Sequence, residues 1–95
     1  MPTTKATFFL QILSLRGVVF EEEVESVYLF GTEGEFELLP FHSTLLAAIP
    51  EGAIHIANFP SIPVKIGVVM FRENKCTILA ETPTDVAMKQ LWDKG

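Results

Sequence analysis

The stretch that decides the fold runs from residue 24 to residue 42 and reads VESVYLFGTEGEFELLPFH. In its first part Val27 and Leu29 fall on one side of an extended chain, and the bulky Tyr28 falls on the other, as expected of a β-strand with two apolar faces. A turn rich in glycine and glutamate follows, and a second short strand then leads into a loop opened by Pro40. Strand, turn, strand and loop in so short a stretch are typical of an all-β domain.

The same pattern continues along most of the chain, where short apolar segments alternate with turn residues. The pattern predicts a sandwich or barrel of about eight to ten strands. Within residues 64–72, alternation places Ile66 and Met70 toward the core and Val69 and Phe71 on the opposite side. The fold class is therefore mainly β, and the β-sandwich domain is expected to span residues 1–82.

Near the C-terminus the spacing of the apolar residues changes from that of a strand to that of a helix. Thr82 and Pro83 have the character of an N-cap followed by the first helical residue, and Asp85 adds an acid in the first turn. The apolar residues beyond them recur at helical spacing; they are Ala87, Met88, Leu91 and Trp92. The sequence thus predicts one short helix over residues 83–95.

Composition narrows the possible functions. The chain has 95 residues, enough for one small domain, and its formal net charge is −5, which disfavours nucleic acid as a partner. No apolar run is long enough to span a bilayer, so direct membrane insertion is not expected. A single cysteine cannot form an internal disulfide, which favours a reducing compartment.

No catalytic motif emerges from the residue types and their spacing. Glu33, Glu35 and Glu37 would share one face of a strand, where a solvated edge is favoured over a calcium loop, and they would repel phosphate. One cysteine and two distant histidines cannot form a zinc site. Cys76 is expected to be a buried structural thiol, and His55 a surface residue. We predict no enzyme activity, no cofactor and no metal.

The chain carries more apolar side chains than one layer of core requires. Several lie opposite the residues expected to face inward, so either a second sheet or a partner protein must cover them. These side chains are Phe9, Tyr28, Phe30, Phe41, Val69 and Phe71. Both possibilities remain open from the sequence, and protein interaction is the function that these residues favour.

The order of motifs resembles a known family. The run from residue 24 to residue 56, with GTEGE, LPFHSTLLAA and a proline–glycine turn, followed by TILAET at residues 77–82, is similar to the N-terminal β-sandwich of the ε subunit of F-type ATP synthases. The resemblance implies a flattened ten-strand sandwich. It also implies a non-catalytic rotor subunit of the central stalk, peripheral to the cytoplasmic face of the energy-transducing membrane and linking the γ subunit to the proton-translocating c ring.

The resemblance also implies roles for individual residues. Glu33, Glu35 and His42 correspond to positions that face the c ring. Ser14, His42 and Ala47 correspond to positions that face γ. On this reading the acidic residues form a docking surface.

Two departures from the family pattern carry expectations. Phe41 stands where the family has a glycine before the histidine, so the loop is not expected to adopt the same positive φ. After residue 81 there is room for one short helix, so the family's C-terminal helical hairpin, its inhibitory switch and ATP binding are not expected. These departures leave open an alternative function, a free-standing β-sandwich adaptor that kept the scaffold and lost the complex.

Overall fold

The computed structural model describes residues 5–83, which form nine β-strands in chain order. Their bounds are β1 Phe8–Ser14, β2 Gly17–Val24, β3 Val27–Gly31, β4 Gly34–Leu38, β5 Leu45–Ile49, β6 Gly52–Ile56, β7 Ile62–Val64, β8 Ile66–Arg72 and β9 Lys75–Glu81. The mainly β class is confirmed, with nine strands in the described part where the resemblance implies ten. The helix expected over residues 83–95 falls almost wholly outside the described residues and stays a prediction.

The strands form two sheets. A five-stranded sheet has the order β2-β1-β9-β8-β5, and a four-stranded sheet has the order β4-β3-β6-β7. The β1–β9 pair is parallel, whereas the other strand pairs are antiparallel. The edge strands are β2 and β5 in the first sheet and β4 and β7 in the second. Pro63 lies in β7, as expected for a residue without a backbone donor.

The core lies between the sheets and is built from the inward side chains of both. Phe8, Leu10, Ile12, Leu29 and Ile54 are fully buried, as the alternation of apolar residues predicts. The rings of Phe8 and Phe71 pack edge to face with their centroids 5.1 Å apart. The described part is a flattened body of 42 × 37 × 18 Å, so most of its strands have one face in the core and one face exposed.

The expected orientation of β8 is wrong. Val69 and Phe71 are fully buried, whereas Ile66 and Met70 point outward and are exposed. The cause lies at Lys65, where the chain leaves the four-stranded sheet at Val64 and enters the five-stranded sheet, and where the Lys65 amide donates to Glu81 O at 2.7 Å. Crossing from one sheet to the other reverses which alternate residues face the core, and a pattern read straight through this point is inverted.

Candidate partner-binding surfaces

The tight turn between β3 and β4 carries the glutamates singled out in the sequence, and we call residues 31–35 the acidic turn. Gly31 pairs with Gly34 across the hairpin, and Gly34 has a φ of +123°, which favours glycine. The Thr32 amide donates to Ala48 O at 3.3 Å, so the turn is fixed to β5 of the other sheet. Its position relative to both sheets is thus set by backbone hydrogen bonds.

Glu35 is tied to the strand beside it. The Tyr28 hydroxyl donates a hydrogen bond to Glu35 Oε1. This bond raises the pKa of Tyr28, with smaller contributions from desolvation and from the negative charges of Glu35 and Glu37. Tyr28 also pairs with Glu37 on β4 and with His55 on β6, so the outer surface of the four-stranded sheet is polar here.

A groove of about 470 Å³ separates the edge strands β4 and β5. Its walls differ in chemistry, since one side carries Glu33 and Glu35 and the other carries Leu46 and Ala47. Leu46 is 71% exposed, while Ala47 packs against the margin of the core. The groove therefore brings together three of the residues singled out in the sequence, namely the two glutamates and Ala47.

One row of side chains that crosses the outer surface of the five-stranded sheet is apolar. Residues paired strand by strand, from β5 through β8, β9 and β1 to β2, form a row of five side chains; they are Ala48, Val68, Leu79, Leu13 and Val18. We call this row, together with the flanking residues Leu46, Ile66 and Met70, the apolar face. Leu79 in its middle is 52% exposed and Ile66 is 61% exposed. So broad an exposed apolar surface is characteristic of an interface.

A shallow depression of about 330 Å³ lies at one end of the apolar face. It forms around Gly67, where a Cβ would come within 2.7 Å of Leu79 O. Ser14 lies on its rim, in the β1–β2 hairpin, and its hydroxyl donates to Gly17 O and accepts from the Arg16 amide. Ser14 therefore borders the apolar face and does not share the groove that holds the glutamates.

The loop after β4 contains a second tight turn, residues 39–42, which we call the Phe41 turn. The His42 amide donates to Leu39 O at 3.1 Å, with Pro40 as the second residue of the turn and Phe41 as the third. Phe41 has a φ of 65°. The expectation that phenylalanine would exclude the positive φ is wrong, because the turn requires it at this position and a distant side chain holds it there.

That side chain is Asn74, in the turn between β8 and β9. Its Oδ1 accepts a hydrogen bond from the Phe41 amide at 2.6 Å, and its Nδ2 donates to Thr7 O at 3.0 Å. Asn74 itself has a φ of 60°, which asparagine tolerates better than most residues. One amide group thus joins the Phe41 turn, the start of β1 and the β8–β9 turn.

His42 belongs to the end of the sandwich opposite the acidic turn. Its ring packs edge to face on Phe71 with centroids 5.6 Å apart, and its Nδ1 donates to Ser43 O at 2.7 Å. The length of β4 separates it from the turn that carries Glu33. The structure therefore does not bring His42 together with the glutamates, although the resemblance implies the c ring as their common partner.

Cys76 is the buried structural thiol that the sequence predicts. It is fully buried, and burial raises its pKa to about 12. His55 is exposed, as expected. Among residues 5–83 no three His, Cys, Asp or Glu side chains lie close enough to hold a metal ion. Within the same range no helix has the length and apolarity needed to cross a membrane.

Two contacts at these surfaces were missed in the sequence. The Tyr28–Glu35 bond could have been found, because a hairpin closed by Gly31 and Gly34 places these two side chains diagonally on one face. The bond between Asn74 and the Phe41 amide spans 33 positions and carries no local signal.

Comparison with solved structures identifies the class of fold. The chain superposes on a chain of the Tetrahymena thermophila mitochondrial ATP synthase central stalk and c ring, with a TM-score of 0.67 at 15% identity over 82% of this chain and 66% of that one. A chain of the Euglena gracilis mitochondrial ATP synthase gives a TM-score of 0.71 at 14% identity, over 83% of this chain and 53% of that one. The fold is thus one that occurs in ATP synthases.

Sequence comparison identifies the family. A family model described as the ATP synthase delta/epsilon chain β-sandwich domain matches residues 7–85. The ATP synthase epsilon chain of Campylobacter hominis is 38% identical over 76% of this chain, and that of Desulfitobacterium hafniense is 39% identical over 80%. The chain spans about three fifths of the length of these relatives, 59% and 60%. It belongs to the ATP synthase delta/epsilon chain β-sandwich family.

Proposed function

We propose that this chain is a non-catalytic subunit of the central stalk of a proton-translocating F-type ATP synthase, where it links the γ subunit to the c ring. In this role it would sit at the cytoplasmic face of the membrane and be held there by other subunits. Its work would be mechanical, since a rotor element needs a stiff body and two firm attachments. The observation that carries the proposal is the presence of two chemically different surfaces on one sandwich, the acidic turn and the apolar face.

The acidic turn suits a partner with basic polar loops, and we assign the c ring as that partner. Glu33 and Glu35 are exposed, and Glu35 is held in place by Tyr28. A carboxylate that is already oriented loses little freedom when it meets a cation across an interface. Because both glutamates are exposed, their contribution to docking should weaken as the salt concentration rises.

The apolar face suits γ. It crosses all five strands of its sheet, and Ser14, one of the positions that the resemblance implies for γ, lies on its rim. A permanent subunit interface is more apolar than a transient one, and a continuous row of aliphatic side chains meets that need. Burial of Cys76 and its raised pKa agree with a role that involves no thiol chemistry.

A charge reversal tests the ring contact. Glu35→Lys should lower the affinity of the full chain for purified c ring by about tenfold or more, because it replaces one charge-assisted contact with a repulsion. Glu22→Lys, which makes the same change of charge in the exposed part of the edge strand β2, is the matched control and should bind as the unchanged chain does. Equal ring affinity of the Glu35→Lys variant and the control would count against the proposal.

Recovery of γ tests the other attachment. The tagged full chain should retain γ from the same organism in a one-to-one ratio, and Leu79→Lys in the middle of the apolar face should abolish that recovery while the fold persists. Absence of γ would favour the free-standing adaptor instead.

A further inference from the structure

We propose that Phe30 and Glu35 form a binding site for the guanidinium group of an arginine side chain, and that the c ring supplies this arginine. The inference rests on the proposed function, because it names the chemistry of a contact with the partner already assigned to the acidic turn. It adds a residue to that contact, since Phe30 is not among the positions that the resemblance implies for the ring.

The site lies on the outer surface of the four-stranded sheet, at the last strand pair before the acidic turn closes. Phe30 on β3 is directly opposite Glu35 on β4, and residues opposite each other in adjacent strands point to the same side of a sheet. Phe30 is 48% exposed, and Glu35 is exposed as well. An aromatic ring and a carboxylate are therefore side by side at the surface.

Tyr28 orders both of these groups. Its hydroxyl donates to Glu35 Oε1, and its ring packs edge to face with the ring of Phe30, with centroids 5.7 Å apart and an interplanar angle of 80°. The ring of His55 on β6 lies beside Tyr28, with centroids 6.0 Å apart. Because the ring and the carboxylate are held in place before a partner arrives, little side-chain freedom is lost on binding.

The carboxylate of Glu35 is oriented without being neutralised. Its partner Tyr28 is a neutral donor, which fixes the position of the carboxylate and leaves its charge in place. Ion pairs in the described part of the chain are made by Lys5 and Arg72 with other glutamates. Glu37, opposite Tyr28, adds a second negative charge to the same surface. This surface therefore complements a cation that a partner brings to it.

The combination of a ring and a carboxylate favours arginine over lysine. A guanidinium group is planar, so it can lie flat on an aromatic ring while the N–H groups at its edge donate to a carboxylate beside the ring. An ammonium group is compact and strongly hydrated, and it has no flat face to lie on the ring. Arginine can thus satisfy both groups of the site at once.

The position of the site indicates which partner supplies the arginine. Phe30 directly precedes the acidic turn, and Glu35 is the last residue of that turn. The apolar face, which we assign to γ, lies on the outer surface of the other sheet and hence on the opposite side of the sandwich. A partner whose basic loops dock on the acidic turn can therefore reach Phe30 without covering the apolar face.

The test separates the aromatic character of Phe30 from its apolar bulk. Phe30→Leu keeps an apolar side chain and removes the ring, so it should lower the affinity of the full chain for purified c ring by about fivefold or more. Phe30→Trp supplies the ring that attracts cations best and should bind at least as tightly as the unaltered chain. The melting temperature of each variant should stay within about 4 °C of the original, because the side chain lies at the surface.

Phe59→Leu is the matched control, since it makes the same change at another partly exposed ring. Phe59 is 37% exposed and follows the end of β6, where Ile56 pairs with Val27 at the start of β3. It therefore lies at the end of the four-stranded sheet remote from the acidic turn. The Phe59→Leu variant should bind the c ring as tightly as the unaltered chain does.

Chemical modification of the purified c ring identifies the cation. After phenylglyoxal has blocked the arginines of the ring, the unaltered chain and the Phe30→Leu variant should bind it with equal affinity. After acetylation of the lysines of the ring, the difference between the two chains should remain. A difference that survives the blocking of arginine would refute arginine as the ligand of the site.

The same measurements distinguish failure of this inference from failure of the proposed function. If the unaltered chain binds the c ring and Phe30→Leu binds it equally tightly, the arginine site is refuted and the stalk function stands. If Phe30→Leu weakens binding to γ and spares the ring, the assigned partner is wrong. If the unaltered chain does not bind the c ring at all, the proposed function itself fails.

Discussion

The turns at the two ends of β4 face the same backbone requirement and meet it in different ways. In the acidic turn the positive φ belongs to Gly34, which has no Cβ to crowd the chain. In the Phe41 turn it belongs to a phenylalanine whose backbone amide donates a hydrogen bond to Asn74 Oδ1. The first turn follows from local sequence, whereas the second depends on a residue 33 positions away. Substitutions can test whether this difference is real.

The largest effect is expected at Asn74. Asn74→Ala removes the bonds to the Phe41 amide and to Thr7 O and places alanine at a φ of 60°, so we expect a loss of about 2–3 kcal/mol in the free energy of unfolding. Asn74→Gly removes the same bonds without the backbone penalty and should lose less. Urea denaturation of both variants separates the contribution of the lost hydrogen bonds from that of the backbone strain. A loss of under about 0.5 kcal/mol in the alanine variant would show that the Phe41 turn keeps its conformation without Asn74, because surface substitutions without a structural role fall in that range.

These two turns also show how far the sequence predicts the fold. The strand, turn and strand around the acidic turn could be read directly, because apolar alternation and glycine are local signals. The Phe41 turn was misread because the residue that imposes its conformation is distant. The orientation of β8 failed for a related reason, since the crossing between sheets at Lys65 leaves no mark in the alternation of residues 64–72.

The candidate surfaces were predictable to a similar extent. The glutamates and the surplus of apolar side chains were visible in the sequence, but their arrangement was not. Only strand order shows that Ala48, Leu79 and Leu13 belong to one row, because their strands β5, β9 and β1 are far apart along the chain. The length of β4 separates His42 from the acidic turn, which lies at the other end of that strand. Residue type indicates what a surface can bind, whereas topology decides which residues share it.

A smaller effect is expected at Gly34. Gly34→Ala should lower the free energy of unfolding by about 1–2 kcal/mol, because alanine is strained at positive φ. No atom beyond the two adjoining residues lies within 4 Å of the added Cβ, so the loss would come from the local backbone alone. Gly52→Ala is the control, since its φ lies outside the left-handed region and its nearest neighbour is 3.9 Å away. Thermal unfolding should show the control unchanged or slightly more stable, and an equal loss in both variants would contradict the reasoning.

The smallest effect concerns the charge of the acidic turn and can be followed through Tyr28, the only tyrosine in the chain. Because its hydroxyl donates to Glu35, its pKa should lie above the ordinary value of 10.0 in the folded protein. A raised pKa in the folded state means that the unfolded chain ionises first, so this group's contribution to stability is complete below about pH 10 and is lost as the pH rises further. Titration by the ultraviolet absorbance of the phenolate measures the pKa shift directly.

Two variants separate the causes of the shift. Glu35→Gln should bring the titration midpoint back toward 10.0, and Glu37→Gln should move it less, since the charge of Glu37 is the weakest of the causes. An unshifted midpoint in the unaltered chain would show that Glu35 is not held by Tyr28, and the acidic turn would then present a freely moving carboxylate to its partner.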